Sequence, residues 1–239
     1  MKIVTIIQAR MGSSRLPGKV LMDLGGDTVL SRVVRRSCRA KLTTQTIVAT
    51  TSLAKDDVVA SECERLGVAV FRGSETNVLD RYYQAALQHQ AAIVVRVTAD
   101  NPLVDPDLID DVVLAILTSH ADYVNNRSPR LYPQGLDVEA FTFVALQQAW
   151  RQAMKQYEQE HVTPYFYEHP ELFDCVSVRG PFDCSHYRWT LDTAEDLRVI
   201  REIYSHLGNS DGFSWNEALI VAERGISLQG VTHLAQESV

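Results

Sequence analysis

The chain has 239 residues, of which 46% are hydrophobic and 22% are charged, and its formal net charge is −7. This composition is typical of a globular protein with one large domain, and no stretch reaches the ~18 to 20 apolar residues that a membrane-spanning helix needs. An acidic chain of this kind is a poor candidate for a broad nucleic-acid-binding surface, although it is compatible with a small basic pocket.

The four cysteines, at positions 38, 63, 175 and 184, show no spacing typical of a zinc site or a redox motif. Isolated thiols are typical of proteins in a reducing compartment. The apolar N-terminus is interrupted by Arg10, which makes it too short for a signal peptide and favours a strand. We therefore expect a cytoplasmic protein whose partners are small molecules, with no nucleic acid and no membrane among them.

The first two-thirds of the chain alternates short apolar runs with helical patterns. Strand, helix and strand at these spacings predict a mostly parallel sheet that is covered by helices on both faces. Right-handed crossovers then place loops 9–18 and 98–105 along one edge, where α/β proteins bind ligands. The predicted strands are Lys2–Gln8, Thr46–Thr50, Val68–Arg72 and Ala92–Val97, and the predicted helices are Val29–Arg39, Asp56–Leu66, Val78–His89 and Leu108–Ser119.

The alternation changes after residue 125. A polar loop over 126–136 precedes a short apolar run at 138–142, a predicted helix over 143–156 and the aromatic stretch PYFYEHPELF. Two further helices have clear N-terminal capping pairs, Thr193 with Asp196 and Ser214 with Glu217. We predict a single domain over 1–239, with an insertion at about 126–175 that binds an acceptor or forms the contact of a homodimer.

A basic, glycine-containing loop follows the first predicted strand, in the stretch IIQARMGSSRLPGKVL from Ile6 to Leu21. Glycines permit tight turns, and serine hydroxyls, backbone N–H groups and arginine side chains all bind anionic oxygens. The loop differs from the common phosphate-binding motif GxxxxGK[ST], because Val20 follows its Gly-Lys pair. The composition is compatible with a polyphosphate site and with an ordinary solvated loop.

The same stretch resembles the N-terminal motif of the cytidylyltransferases that make CMP-sugars, including CMP-sialic acid and CMP-Kdo synthetases. The resemblance is strongest to the cytidylyltransferases of the spore-coat polysaccharide type. It continues through VFRGSETNVLDRYYQAA, VRVTADNPLVDPDLID, QGLDVEAF, EHVTPYFYEHPELF and RWTLDTAEDL, and becomes weaker after about residue 205. It implies a three-layer α/β/α nucleotide-diphospho-sugar transferase fold, similar to the GT-A fold, with a mixed, mostly parallel sheet.

The resemblance also implies a nucleotide site. In this family, residues at the positions of Arg10, Arg15 and Lys19 contact the phosphates of CTP, and backbone near Ala9 approaches the base. We therefore assign the catalytic role to these three cations. The nucleotide-binding residues implied are Ala9, Arg10, Met11, Gly12, Ser13, Arg15 and Lys19, together with Arg72 and Ser74 beside the base or ribose.

Two aspartates are candidate ligands of Mg²⁺, which prefers carboxylate and phosphate oxygens. The family resemblance places a metal-binding aspartate at Asp100 and another at Asp192. Each residue alone is equally compatible with a structural role, Asp100 in a turn and Asp192 beside a helix N-terminus. The D-x-D sequence at Asp105–Asp107 is interpreted instead as a helix cap followed by proline at the first helical position.

The acceptor site is predicted from residues 131–141 and 158–167. Gln134, Asp137 and Glu139 are candidates for binding sugar hydroxyls, and His161 is a candidate for orienting the acceptor. Arg127 or Arg130 is a candidate for binding an acceptor carboxylate or phosphate. Glu160 matches a recurrent element of the family without a physical assignment, and the aromatic residues 165–167 are expected to pack in a helix or at an interface rather than to stack on a sugar.

Together these features predict a Mg²⁺-dependent transfer of CMP from CTP to a sugar acid, with release of pyrophosphate, in surface polysaccharide biosynthesis. The acceptor oxygen attacks the α-phosphorus, and positioning and electrostatic stabilisation supply most of the catalysis. Two alternatives remain at this stage. One is a transferase of the same fold that uses another NTP or a nucleotide-sugar, and the other is a nucleotide-binding subunit without activity.

Overall fold

A seven-stranded mixed sheet forms the centre of the computed structural model, which describes residues 1–224. The strand order is β3-β2-β1-β4-β6-β5-β7, and every neighbouring pair is parallel except those that involve β6. The strands are β1 Ile3–Gln8, β2 Gln45–Thr51, β3 Ala69–Gly73, β4 Ile93–Thr98, β5 Tyr123–Asn125, β6 Glu139–Thr142 and β7 Cys175–Ser177. The predicted mixed, mostly parallel sheet is confirmed.

Helices cover both faces of this sheet and bury two separate apolar cores. Alternate residues of β1 face opposite sides, so Ile7 joins one core and Ile6 the other. Full burial of such a side chain contributes about 1.5 to 3 kcal/mol. The helices are α1 Val29–Ser37, α2 Asp57–Leu66, α3 Val78–Gln88, α4 Pro106–Ser119, α5 Phe143–Gln152, α6 Gln156–His161, α7 Pro164–Tyr167, α8 Ala194–His206 and α9 Trp215–Glu223. The three-layer arrangement is therefore confirmed.

Helices α3, α5 and α7 pack on one face, whereas α1, α2, α4, α8 and α9 supply the core on the other. Side chains cap several helices as the sequence predicts. Thr193 and Ser214 accept hydrogen bonds from the backbone N–H groups of Asp196 and Glu217. Asp105 accepts a hydrogen bond of 2.8 Å from the N–H of Asp107 at the start of α4. This geometry confirms that Asp105 is a cap.

The predicted helix over 143–156 is wrong in one respect, because the chain leaves the helical conformation after Gln152. Ala153 has φ −68° and ψ 113°, and α6 starts three residues later. The buried carboxylate of Glu158 accepts a hydrogen bond of 3.1 Å from the N–H of Lys155 and thereby caps the new helix. Strand β7, which the sequence analysis did not predict, has only three residues and pairs with β5.

The parallel strands direct their carboxyl ends to one edge of the sheet, as the predicted topology requires. Leu191 donates a hydrogen bond of 2.8 Å to the carbonyl of Asp100, which brings the segment before α8 to the same edge. None of the helices in residues 1–224 combines the length and the hydropathy needed to cross a membrane. Positions 225–239, which the single-domain prediction includes, lie outside the described residues.

Candidate active site

The loop that follows β1 folds back on itself and presents its basic side chains beside the sheet edge. Gly18 and Ser13 donate hydrogen bonds of 3.1 and 2.9 Å to the carbonyl of Met11, which closes the loop. Gly18 has φ +73°, a left-handed conformation that glycine adopts without a steric penalty. Lys19 then begins a short 3₁₀ turn, so its side chain has a fixed starting point.

A buried carboxylate from another part of the chain fixes the start of this loop. Asp56, in the 3₁₀ turn after β2, accepts a hydrogen bond of 2.6 Å from the N–H of Met11. Its second oxygen accepts a hydrogen bond from the hydroxyl of Thr51, and the residue is fully buried. No function was predicted for Asp56, and only its position after a predicted strand could have suggested one.

Lys19 joins the two aspartates that the sequence analysis proposed as metal ligands. Its ammonium donates hydrogen bonds of 2.8 Å to Asp100 Oδ2 and to Asp192 Oδ1. A third hydrogen bond of 2.8 Å reaches the carbonyl of Leu191. Both carboxylate oxygens lie 2.8 Å from one nitrogen, so they can be no farther apart than twice that distance. The fold thus brings together three residues separated by 81 and 92 positions in the sequence.

Two arginines complete the charge distribution around Asp192. Arg15 and Arg188 contact its Oδ2 at 2.9 and 2.7 Å, and Arg188 also contacts Asp196 at 3.2 Å. Burial opposes ionisation, but the hydrogen bonds and charges of Lys19, Arg188 and Arg15 together lower the pKa of Asp192 below its ordinary value. Asp192 is therefore a carboxylate at neutral pH despite being 9% exposed.

A cleft of about 310 Å³ lies between the basic loop and the two aspartates. Most of the loop residues proposed to bind the nucleotide line it, while Met11 packs partly against the core. Arg10 lines the cleft and forms no salt bridge with a residue of the described part of the chain. The lining consists of Gln8, Ala9, Arg10, Gly12, Ser13, Ser14, Arg15, Lys19, Val20, Val78, Thr98, Ala99, Asp100, Glu160, His161 and Asp192.

Arg72 and Ser74 lie outside this lining. The guanidinium of Arg72 donates hydrogen bonds of 2.9 Å to the carbonyls of Thr51 and Leu53 and contacts Asp57 at 2.7 Å. Ser74 accepts a hydrogen bond of 3.0 Å from the N–H of Asn77, which is the cap of α3. Both residues have structural contacts here, and their contact with a base or ribose stays a prediction.

The C-terminal end of α6 forms part of the lining of the cleft. Glu160 is half-buried and His161 is exposed, and both line the cleft. Val162 follows with φ +72° and ψ −55° and is fully buried. A β-branched residue in this conformation is strained at a cost on the order of 1 to 3 kcal/mol. The surrounding core thus fixes the direction of the chain immediately after His161. Of the four proposed acceptor-binding residues, His161 lines the cleft, whereas Gln134, Asp137 and Glu139 do not.

The other proposed acceptor residues have partners within the protein. Gln134 pairs through its backbone with the segment around Arg188, donating a hydrogen bond of 2.9 Å to Tyr187 and accepting one of 2.6 Å from Trp189. Asp137 forms a salt bridge of 2.6 Å with Arg130. The binding of sugar hydroxyls by Gln134 and Asp137 stays a prediction.

Glu139 is 1% exposed and forms a buried ion pair with Arg96, and it accepts a hydrogen bond from Tyr123. Burial opposes ionisation, but the charges of Arg96 and Arg127 lower the pKa of Glu139. Arg127 is partly exposed and lies 3.7 Å from the same carboxylate. A role of Glu139 in sugar binding stays a prediction, and its present contacts are those of an internal counter-ion.

The residues at the sheet edge suit a divalent cation that is shared with a triphosphate. Within residues 1–224 there is no cluster of three or more His, Cys, Asp or Glu side chains that could bind a metal unaided. Asp100 and Asp192 supply two hard oxygen donors beside a cleft lined by cations. Mg²⁺ is usually bound by one or two carboxylates together with phosphate oxygens and water. The donor set therefore fits Mg²⁺ in the presence of a nucleotide.

Comparison with known proteins gives one consistent result. A family model described as cytidylyltransferase matches residues 4–207. The spore coat polysaccharide biosynthesis protein SpsF of Bacillus subtilis is 36% identical over 93% of this chain and 94% of its own. The 3-deoxy-manno-octulosonate cytidylyltransferase of Geobacter sulfurreducens is 36% identical over 51% of this chain and 48% of its own. A cytidylyltransferase structure from Leptospira borgpetersenii superposes with a TM-score of 0.91 at 32% identity, covering 100% of this chain and 99% of that one.

Proposed function

The chain belongs to the cytidylyltransferase family, and from this premise we propose that it transfers CMP from CTP to a sugar acid and releases pyrophosphate. The observation that carries the proposal is the meeting of Lys19, Asp100 and Asp192 at the edge of a cleft that the basic loop lines. Cationic side chains neutralise the charge of a bound triphosphate, and carboxylates coordinate a metal ion that binds together with it. Both occur here within one cleft.

The residues divide between two tasks. Arg10, Arg15 and Lys19 bind the triphosphate and stabilise the negative charge that develops on the departing pyrophosphate. Asp100 and Asp192 are the ligands for Mg²⁺, which when bound would neutralise phosphate charge during the transfer. Arg188 contacts the carboxylate oxygen of Asp192 that Lys19 does not contact, and Asp196 accepts a hydrogen bond from the backbone N–H of Asp192, so both orient this residue.

The reaction joins the acceptor oxygen to the α-phosphorus and breaks the bond between that phosphorus and the bridging oxygen of pyrophosphate. The acceptor binds beside Glu160 and His161, since these residues line the cleft and do not belong to the basic loop. Positioning of the two substrates supplies much of the rate acceleration. No side chain is assigned as the general base.

The names of two relatives support a sugar acid as the acceptor and polysaccharide biosynthesis as the context. One relative is a 3-deoxy-manno-octulosonate cytidylyltransferase, and the other is a spore coat polysaccharide biosynthesis protein. We further propose that the protein acts in the cytoplasm as a homodimer, with the segment over 126–175 as its acceptor-binding or dimer-forming part.

A pyrophosphate-release screen tests this function. CTP, UTP, ATP and GTP are each offered with Mg²⁺ to a panel of sugar acids, with the corresponding neutral sugars as controls. We expect release with CTP and at least one sugar acid, and little release with the neutral sugars. Equal rates with all four nucleotides would contradict selectivity for cytosine. A nucleotide-sugar offered in place of the four nucleotides tests the alternative, because its cleavage without release of pyrophosphate would support a glycosyltransferase instead.

A further inference from the structure

The ammonium of Lys19 occupies the position between the two carboxylates where a shared divalent cation would bind. An ammonium group has three N–H donors, and all three are used here. They reach Asp100 Oδ2, Asp192 Oδ1 and the carbonyl of Leu191, each at 2.8 Å. The Lys19 side chain is only 10% exposed, so it is an internal cation rather than a surface lysine.

Entry of a divalent cation at this position conflicts with the present location of the ammonium. Asp192 uses Oδ1 for Lys19 and Oδ2 for Arg15 and Arg188. A metal that coordinates both Asp100 Oδ2 and Asp192 Oδ1 would lie where the ammonium now lies, and two cations at that position would repel each other strongly. Both carboxylates therefore have cationic partners from within the protein.

The cleft lined by the basic loop is a second place where the ammonium of Lys19 could bind an anion. The residue begins the 3₁₀ turn at the end of the basic loop and lines the same cleft as Arg10 and Ser13. Its backbone is fixed by a hydrogen bond of 3.2 Å to Leu16, while its four-carbon side chain is flexible. Rotation of this side chain, with the backbone unchanged, is the movement that would carry the ammonium from the carboxylates to phosphate oxygens bound in the cleft.

We propose that Lys19 is an exchangeable counter-ion. Its ammonium occupies the metal position until a triphosphate binds, and it then moves to the phosphate oxygens. This inference rests on the proposed function, and it adds an order to it: metal and nucleotide bind together, because the ammonium of Lys19 occupies one oxygen of each aspartate until the triphosphate binds. Binding of the metal and of CTP is then strongly coupled in the wild type, and this coupling depends on Lys19.

Binding of Mn²⁺ to the nucleotide-free protein, followed by the electron paramagnetic resonance signal of free Mn²⁺, tests the exchange directly. Lys19→Met removes the charge and keeps the apolar stem, and Lys19→Gln also keeps a hydrogen-bond donor if the methionine variant does not fold. The matched control is Lys55→Met, which removes an exposed lysine paired with Glu75 near the same loop. Circular dichroism verifies the fold of each protein.

We expect one Mn²⁺ to bind the Lys19 variant at least about fivefold more tightly than the wild type, the lower end of ordinary coupling between sites. Lys55→Met should bind Mn²⁺ like the wild type, and adding Asp192→Asn to the Lys19 variant should remove the gain. Equal Mn²⁺ affinity of the wild type and both Lys19 variants would overturn the exchange.

Pyrophosphate release by the wild type separates this inference from the proposed function. CTP-dependent release without any gain in Mn²⁺ affinity for the Lys19 variants would refute the exchange and leave the activity standing. A gain in Mn²⁺ affinity without CTP-dependent release would support the exchange and refute the proposed activity.

Discussion

Gly135 lies where the backbone of the proposed acceptor loop packs against the segment that leads to Asp192. It has φ +114°, and a Cβ atom added here would lie 2.5 Å from the carbonyl carbon of Trp189 and 2.6 Å from the nitrogen of Thr190. Carbon atoms do not approach backbone this closely without displacing it. Gly135→Ala should therefore separate the two segments or strain them.

The expected loss of stability has two parts. A side chain in a sparsely populated backbone region costs on the order of 1 to 3 kcal/mol, and overpacking of a filled site costs about 1 to 3 kcal/mol. Gly67→Ala is the matched control, because Gly67 has φ +66° and no neighbouring atom within 4 Å of its added Cβ. The control should lose only the conformational part, about 1 to 2 kcal/mol.

Urea unfolding followed by circular dichroism measures both losses, and pyrophosphate release at saturating Mg²⁺ measures the effect on the site. We expect Gly135→Ala to lose more stability than Gly67→Ala and also to lose activity, since Trp189 and Thr190 lead directly to Asp192. Equal losses of stability in the two variants, with full activity in both, would refute the idea that this contact positions Asp192.

Three further predictions follow from the contacts of individual side chains. Arg15 is 62% exposed, so Arg15→Ala should change the free energy of unfolding by less than about 1 kcal/mol. The same change should weaken CTP binding by about 1.5 to 3 kcal/mol in titrations, and normal CTP affinity would refute the contact between Arg15 and phosphate. The lowered pKa of Asp192 contributes stability at neutral pH that is lost as the pH falls below about 4. The stability difference between wild type and Asp192→Asn in urea titrations should therefore shrink towards acid pH, and a constant difference would contradict this. Glu139→Gln leaves Arg96 and Arg127 without their buried partner and should cost about 3 to 5 kcal/mol in urea unfolding, whereas an unchanged stability would show that Glu139 is dispensable for the fold.

Most of the fold could be predicted from the sequence because its central strands, β1 and β4, are buried on both faces. Continuous apolar runs such as those of β1 and β4 are typical of such strands, and the predicted bounds differ from the observed ones by one or two residues. The break between α5 and α6 could not be predicted from a local sequence pattern. Residues 153–155 contain neither glycine nor proline, and the break depends on the capping contact of Glu158.

The basic loop was predicted from local signals, since its glycines and cations lie within ten residues of one another. The placement of Lys19 was not predictable. Lys19 was predicted to bind the phosphates and the two aspartates to bind a metal, without any contact between Lys19 and the aspartates. Their direct contact depends on how the segment before α8 meets the end of β4, and no local pattern encodes this long-range packing.

The same reason explains why Asp56 was not assigned a role, and why Arg188, a candidate pocket residue, was not predicted to contact Asp192. Asp56 lies 45 residues from Met11, whose N–H it binds, and it looks like an ordinary residue at the start of a helix. Arg188 is positioned by the pairing of its segment with Gln134, which is a tertiary contact. Arg72, by contrast, was assigned from family resemblance, and its guanidinium is fully engaged in contacts around β2 and α2.

The Mg²⁺ dependence of CTP turnover tests the central claim most directly, namely that Asp100 and Asp192 are the metal-binding carboxylates of this cleft. Asp100→Asn and Asp192→Asn keep the side-chain shape and remove a charge, and Asp105→Asn makes the same change at the buried cap of α4. We predict that the first two variants fold but need far more Mg²⁺ for pyrophosphate release, or lose it, while Asp105→Asn keeps the wild-type dependence. Wild-type Mg²⁺ dependence in Asp100→Asn and Asp192→Asn, or a shift in Asp105→Asn alone, would contradict the account.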